Sequence, residues 1–201
     1  MKSIPDCIVA AGGLSSRMKI WKPSMPWGSE TILQKTVREA ISAGCRVIVA
    51  GGYRYEDLSG LLEAINGFDR LILHHSRKWE KGMDETVRSA LTGIISKSFF
   101  VVPADMPLIH SEDYRKLTIY AESYGDFANN EAPVVFRPSY NGVPGHPVLL
   151  NKAAGEILES SPAGIPIRTV LEGITVITEP WGHEGVIRDI DTLSEYETFK
   201  P

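Results

Sequence analysis

With 201 residues, 43% hydrophobic and 23% charged, the chain can bury a sizeable core, which excludes a disordered or fibrous protein. A net charge of −4 argues against nonspecific nucleic-acid binding, and no apolar run approaches the ~20 residues of a membrane span. Cys7 and Cys45, both in apolar runs, read as reduced core thiols, and Ile4-Pro5-Asp6 carries no signal-peptide pattern, so a cytoplasmic protein is expected.

The first apolar run, Cys7-Ile8-Val9-Ala10-Ala11, predicts a buried strand leading into Gly12-Gly13-Leu14-Ser15-Ser16-Arg17-Met18, with Lys22 beyond. Ser29-Glu30-Thr31 signals a helix whose apolar face is Ile32, Leu33, Val37, Ala40 and Ile41. A second strand over 46–50 closes on Gly51-Gly52, and a helix over about 55–65 leads to a third strand over 71–74. A polar, basic loop over 76–83 follows, and Asp84 is the expected cap of the next helix, with Val87, Ala90, Leu91, Ile94 and Ile95 on its face. The fourth strand, 99–103, ends in Ala104-Asp105-Met106-Pro107, and a helix over about 111–123 carries the chain away. Beyond Gly125 the pattern changes. A short strand over 133–137, the Asn141-Gly142 turn and an extended run over 145–150 suggest a hairpin-like excursion. Helices over about 152–159 and 165–172, strands over 174–178 and 185–190, and a last helix over 192–199 complete the chain. The alternation predicts an α/β fold: a Rossmann-like, mainly parallel sheet with helices on both faces and the small excursion in the second half.

Three groups of residues carry chemistry. The glycine turn is neither the dinucleotide fingerprint G-x-G-x-x-G nor a Walker A loop. It nevertheless offers backbone donors at Ala11, Gly12 and Gly13, hydroxyls at Ser15 and Ser16, and positive charge at Arg17 and Lys22, a set suited to a polyphosphate. Asp105 ends a strand on the same sheet edge, where a carboxylate can hold Mg²⁺ bridged to phosphate oxygens. A second carboxylate is expected from Arg188-Asp189-Ile190-Asp191-Thr192, where a strand would put Asp189 and Asp191 on one face; Asp191 ranks first as ligand, and it could also cap the final helix. His146, between Gly145 and Pro147, is the histidine placed beside a second substrate. His74, His75, His110 and His183 follow no nucleophile or metal spacing, and Trp21, Trp27, Trp79 and Trp181 are accounted for by packing as well as by base stacking.

Together these motifs resemble the nucleotidyltransferases of the molybdenum cofactor, the cytidylyl- and guanylyltransferases of molybdopterin. The resemblance runs through Ala10–Met18, Lys22-Pro23, Met25-Pro26, Thr31-Ile32-Leu33, Gly82-Met83, Asp105-Met106-Pro107, Gly145-His146-Pro147-Val148 and Asp189-Ile190-Asp191-Thr192. It implies a single nucleotidyltransferase domain over 1–201, with a nucleotide-binding half (1–124) and an acceptor-binding half (125–201). It also implies transfer of NMP from CTP or GTP to a phosphate-bearing acceptor such as molybdopterin, with Mg²⁺ as cofactor and pyrophosphate released. Arg17 and Lys22 match the family's phosphate-binding cations, Asp105 its magnesium aspartate, and Gly82-Met83 the loop approaching the base. Gly145, His146 and Arg168 match the acceptor side. A molybdenum hydroxylase apoenzyme is the implied protein partner; nucleic acid and membrane are not. The chain departs from the family pattern at Lys19, Trp21 and Asp84. Two rival readings use the same residues: a sugar- or polyol-phosphate nucleotidyltransferase, and a non-catalytic carrier of nucleotide or cofactor.

Overall fold

The computed structural model describes residues 5–15, 18, 20–65 and 68–201. β1 (Asp6–Ala11) is buried along its whole length because its apolar run faces helices on both sides. A two-residue ribbon, β2 (Pro26–Trp27) with β3 (Glu30–Thr31), leads into α1 (Ile32–Ser42), where Thr31 and Gln34 form a reciprocal capping box. β4 (Arg46–Gly51), α2 (Tyr55–Leu62), β5 (Leu71–His75), α3 (Met83–Ala90), β6 (Ser98–Pro103), α4 (Ser111–Glu122) and α5 (Gly125–Asn129) follow. The second half contains β7 (Val134–Tyr140), β8 (Val143–Pro144), β9 (Val148–Asn151), α6 (Lys152–Ser160), α7 (Ile167–Leu171), β10 (Thr175–Pro180) and α8 (Leu193–Phe199).

The strands form one sheet in the order β10-β7-β9-β6-β1-β4-β5, with β8 paired to β7. β1, β4, β5 and β6 run parallel, and β9 enters antiparallel between β6 and β7. The chain steps outward from β1 through β4 to β5, then crosses back to lay β6 on the other side of β1. That reversal opens a crevice beyond the carboxyl ends of β1 and β6, the place where open α/β sheets take ligands. One core packs α1, α2 and α4 on one face; the other, under α3 and α6, includes Ile8, Ile48, Phe99, Leu150 and Leu158. Asp6 closes the opposite end of the sheet, accepting from Arg46 Nε and from the Ile95 and Ser96 amides.

The excursion is part of the sheet: β7 and β8 turn around Asn141 and Gly142, both at positive φ as a tight two-residue hairpin requires, and β9 then joins the two halves. Three local expectations change. Residues 185–190 form no strand; Glu184–Ile187 is a 3-10 turn, with Val186 and Ile190 fully buried and Ile190 N–H donated to the Asp105 carbonyl. Single bonds of this kind anchor the segment to the loop after β6 rather than to a strand ladder. Asp84 lies inside the first turn of α3, whose N-cap is Gly82 at φ 103°, a conformation that favours glycine. Thr192, not Asp191, caps α8 in a box with Glu195.

Candidate active site

The glycine turn leaves β1 at the crevice. Gly12 lies so close to the Thr86 side chain that a Cβ would collide with it, and its carbonyl accepts from Tyr53 N–H. Gly13 has open space and lines the cleft. Ser15, held at φ 53°, accepts the Lys22 backbone N–H on Oγ at 3.0 Å, so the loop is closed by its own hydroxyl. Ser16, Arg17 and Lys19 lie outside the described residues.

Lys22 is the centre of the arrangement. Its Nζ stands 2.6 Å from Asp105 Oδ2 and 2.6 Å from Asp191 Oδ1, and only 9% of its side chain is exposed. The Ile190 N–H donated to the Asp105 carbonyl stitches the two acidic segments together, and Ile190 is buried with Met18, Met25, Trp27 and Ile32. The buried isoleucine therefore leaves Asp189 and Asp191 on the cleft side without any strand geometry. Ala10, Ala11, Gly13, Ser15, Lys22, Asp105, Asp189 and Asp191 all line this cleft, of about 280 Å³. Two carboxylates converging on one cation are hard, charged oxygen donors of the kind that hold Mg²⁺. Among the described residues no group of three or more His, Cys, Asp or Glu is arranged around a metal position. A metal here would draw its remaining ligands from substrate phosphates and water, as Mg²⁺ in phosphoryl sites does.

Met83 joins three clefts. On one side, Gly12, Gly13, Leu14, Trp79, Glu80, Gly82 and Met83 line a space of about 380 Å³ beside the glycine turn. Trp79 is a residue that the sequence left open between packing and base stacking. It packs against Gly52, where a Cβ would collide with it, and its ring centroid is 5.8 Å from that of Tyr53. The signal was an aromatic side chain in a polar loop, three residues before Gly82.

On the other side of Met83 lies a cleft of about 720 Å³ containing His146, Arg168, Asp84, Arg137 and Glu172 among apolar walls. It shares Ala10, Met83 and Pro103 with the carboxylate cleft, so the two spaces are continuous. His146 is half-buried, and its Nδ1 is 3.3 Å from the Val101 carbonyl. A carbonyl only accepts, so Nδ1 carries the proton and Nε2 is left as an acceptor. Burial pushes the imidazole below the ordinary histidine range, against the opposing pull of the Val101 bond and the Asp105 and Asp189 charges. Gly145 is absent from the lining; it packs on the Val186 carbonyl, where a Cβ has no room, and His146 N–H donates to that carbonyl. Asp84 sits in this second cleft, away from the glycine turn, and makes no ion pair among the described residues. Walls come from both halves of the chain, with Met83, Asp84 and Val87 from the first. The remaining histidines do structural work: His183 bonds Asp113, His110 at the N-cap of α4 donates its N–H to Asp113 Oδ2, His74 meets Ser89 Oγ at 3.2 Å, and His75 stacks on Tyr55.

A family model described as the MobA-like NTP transferase domain matches residues 7–178. The chain belongs to the MobA-like NTP transferase family. It is 30% identical over 196 residues to the molybdenum cofactor cytidylyltransferase of Escherichia coli K12, covering 97% of this chain and 95% of that protein. A nucleotidyl transferase from Methanothermobacter superimposes with a TM-score of 0.80 at 15% identity, over 98% of this chain and 96% of that one. A Mycobacterium tuberculosis protein solved as a manganese complex gives a TM-score of 0.70 at 15% identity, over 98% and 97%. These two structures are likenesses of fold. Family membership and the cytidylyltransferase relative make the chain a nucleotidyltransferase. Among the described residues no helix is long and apolar enough to cross a membrane.

Proposed function

We propose that this nucleotidyltransferase moves CMP from CTP to the phosphate of a molybdopterin-type cofactor, with Mg²⁺, and releases pyrophosphate. The observation that carries the reading is the junction of the clefts. The carboxylate pair with Lys22 lies between a glycine turn suited to phosphates and a larger, mostly apolar cleft suited to a second substrate. The choice of CTP and of this acceptor follows the Escherichia coli relative. Two buried free thiols are compatible with action in the cytoplasm.

The chain needs no nucleophile of its own, because the acceptor phosphate is already anionic. Its contribution is positioning and charge. Amides of the glycine turn and the charges of Arg17 and Lys22 hold the triphosphate, and Gly82-Met83 with Trp79 border the space for the base. Asp105 and Asp191 would hold Mg²⁺, which supplies positive charge to the phosphates when bound. His146 keeps a neutral Nε2 at the acceptor side, able to accept a hydrogen bond from a protonated phosphate. The acceptor oxygen forms a bond to the α-phosphorus as the bond to the bridging oxygen breaks, and the electron pair leaves with pyrophosphate.

Pyrophosphate release measured with each of the four ribonucleoside triphosphates, with and without the molybdenum cofactor, tests the reading. CTP with the cofactor is expected to give the fastest release, and chelating the metal to stop it. Release that is independent of the cofactor, or obtained only with a sugar or polyol phosphate, would overturn it.

A further inference from the structure

The floor of the larger cleft is one face of the sheet. Strand alternation brings Ala10 of β1, Val101 of β6, Val148 and Leu150 of β9 and Val176 of β10 to that face. On β7 the same alternation carries Val135 into the core beneath and then Arg137 into the cleft. Arg137 is thus the charged residue that the strands contribute to an otherwise apolar floor. It is half-buried, and no carboxylate lies within ion-pair distance of it among the described residues. Its one polar contact among them is from Nε to Thr178 Oγ1 at 3.1 Å, and Thr178 is its direct neighbour on β10.

This contact turns the Nε edge of the guanidinium toward β10 and leaves both Nη groups without partners among the described residues. A guanidinium held in that way is a fork that matches the oxygens of a phosphate. An anionic ligand over this apolar floor would find in Arg137 a charged, two-pronged donor. Strand register places it: Phe136 faces Leu149 on β9, so Arg137 lies level with Val148 and, one strand further, with Val101, whose carbonyl meets His146. Arg137 and His146 thus line one cleft, which shares Ala10, Met83 and Pro103 with the carboxylate cleft, the side from which an acceptor phosphate would reach the α-phosphorus. Arg168, by contrast, is exposed on the α7 wall.

We propose that Arg137 is a substrate-binding residue that grips the phosphate monoester of the acceptor through its two Nη groups, with Thr178 setting the plane of the fork. The assignment rests on the nucleotidyl-transfer reading above and adds to it the group that orients the attacking phosphate. The ligand chemistry it selects is a phosphate monoester.

The test is calorimetric titration of phenyl phosphate into the protein saturated with Mg²⁺ and α,β-methylene-CTP, for wild type, Arg137→Gln, Arg137→Lys and Thr178→Val. The Gln variant is expected to bind phenyl phosphate about 10- to 100-fold more weakly, with the Lys variant between it and wild type, because the charge remains and the fork is lost. Thr178→Val is expected to weaken binding by a few-fold, and affinity for the CTP analogue to stay within about twofold throughout. In the transfer assay Arg137→Gln raises KM for the acceptor and leaves KM for CTP unchanged. A wild type that does not bind phenyl phosphate, a Gln variant that binds it equally well, or a parallel loss of CTP-analogue affinity would overturn the assignment. Failure of the broader reading shows separately, as a wild type that transfers nothing to the molybdenum cofactor while the titration still decides Arg137.

Discussion

Lys22 sits where two carboxylates meet, and that contact sets the balance of charge in the site. Asp105 and Asp191 both meet the Lys22 ammonium, and carboxylate oxygens of this kind suit a divalent cation arriving with a polyphosphate. Asp105→Asn keeps the shape and removes one charge. It is expected to lower turnover about 100- to 1,000-fold while leaving the thermal midpoint near that of wild type; turnover within a few-fold of wild type would show that Asp105 holds no metal. His146 supplies a pH signature. Its folded-state affinity for protons is lowered by burial from the ordinary value of 6.5. Below that ordinary value the unfolded chain binds the proton and the folded one resists it, so this contribution is intact at neutral pH and is lost on acidification through the window beneath 6.5. Denaturant midpoints from about pH 7 to about pH 5 should fall more steeply for wild type than for His146→Gln; parallel slopes would place a different group behind the acid sensitivity. Lys22, Asp105 and the Asp189/Asp191 pair were legible in the sequence because they stand in short motifs, Lys22-Pro23, Ala104-Asp105-Met106-Pro107 and Asp189-Ile190-Asp191-Thr192, although the last of these follows no strand. Arg137 and Trp79 were not, because their meaning depends on which face of β7 and which glycine they lie against.

The elements around the site are held by close backbone approaches as much as by side chains. The loop from β8 to β9 presses Gly145 onto the Val186 carbonyl, and Gly145 N–H donates to the Pro138 carbonyl. An added methyl there meets backbone that cannot rotate away. Gly145→Ala is therefore expected to cost at least ~2 kcal/mol and to raise KM for the acceptor through a displaced His146. Equilibrium unfolding alongside steady-state kinetics checks this, and an unchanged midpoint would contradict the close approach. The same contact explains why residues 185–190 misled the sequence reading. Their apolar residues are buried, Val186 and Ile190 fully, but they serve as a plug between two loops. Periodicity reports which side chains are buried and not what the backbone pairs with. Asp84 shows the same limit: two residues of offset separate a cap from a first-turn position, and only the positive φ of Gly82 decides between them.

At the scale of the molecule, one sheet lines both clefts. The parallel strands β1, β4, β5 and β6 build the end that carries the carboxylate cleft, and β9, inserted antiparallel between β6 and β7, brings the larger cleft against it. The parallel part was readable from alternating strand and helix patterns. The placement of β9 was not, because a four-residue strand does not announce its neighbours. The proposed transfer requires that chemistry occur at the α-phosphorus. The most direct measurement follows CTP labelled in turn at the α- and γ-phosphates, with Mg²⁺ and the molybdenum cofactor. The α label is predicted to appear in the acceptor, with an equimolar amount of γ label in pyrophosphate. Transfer of the γ label to the acceptor, or release of pyrophosphate with no α label transferred, would contradict the account.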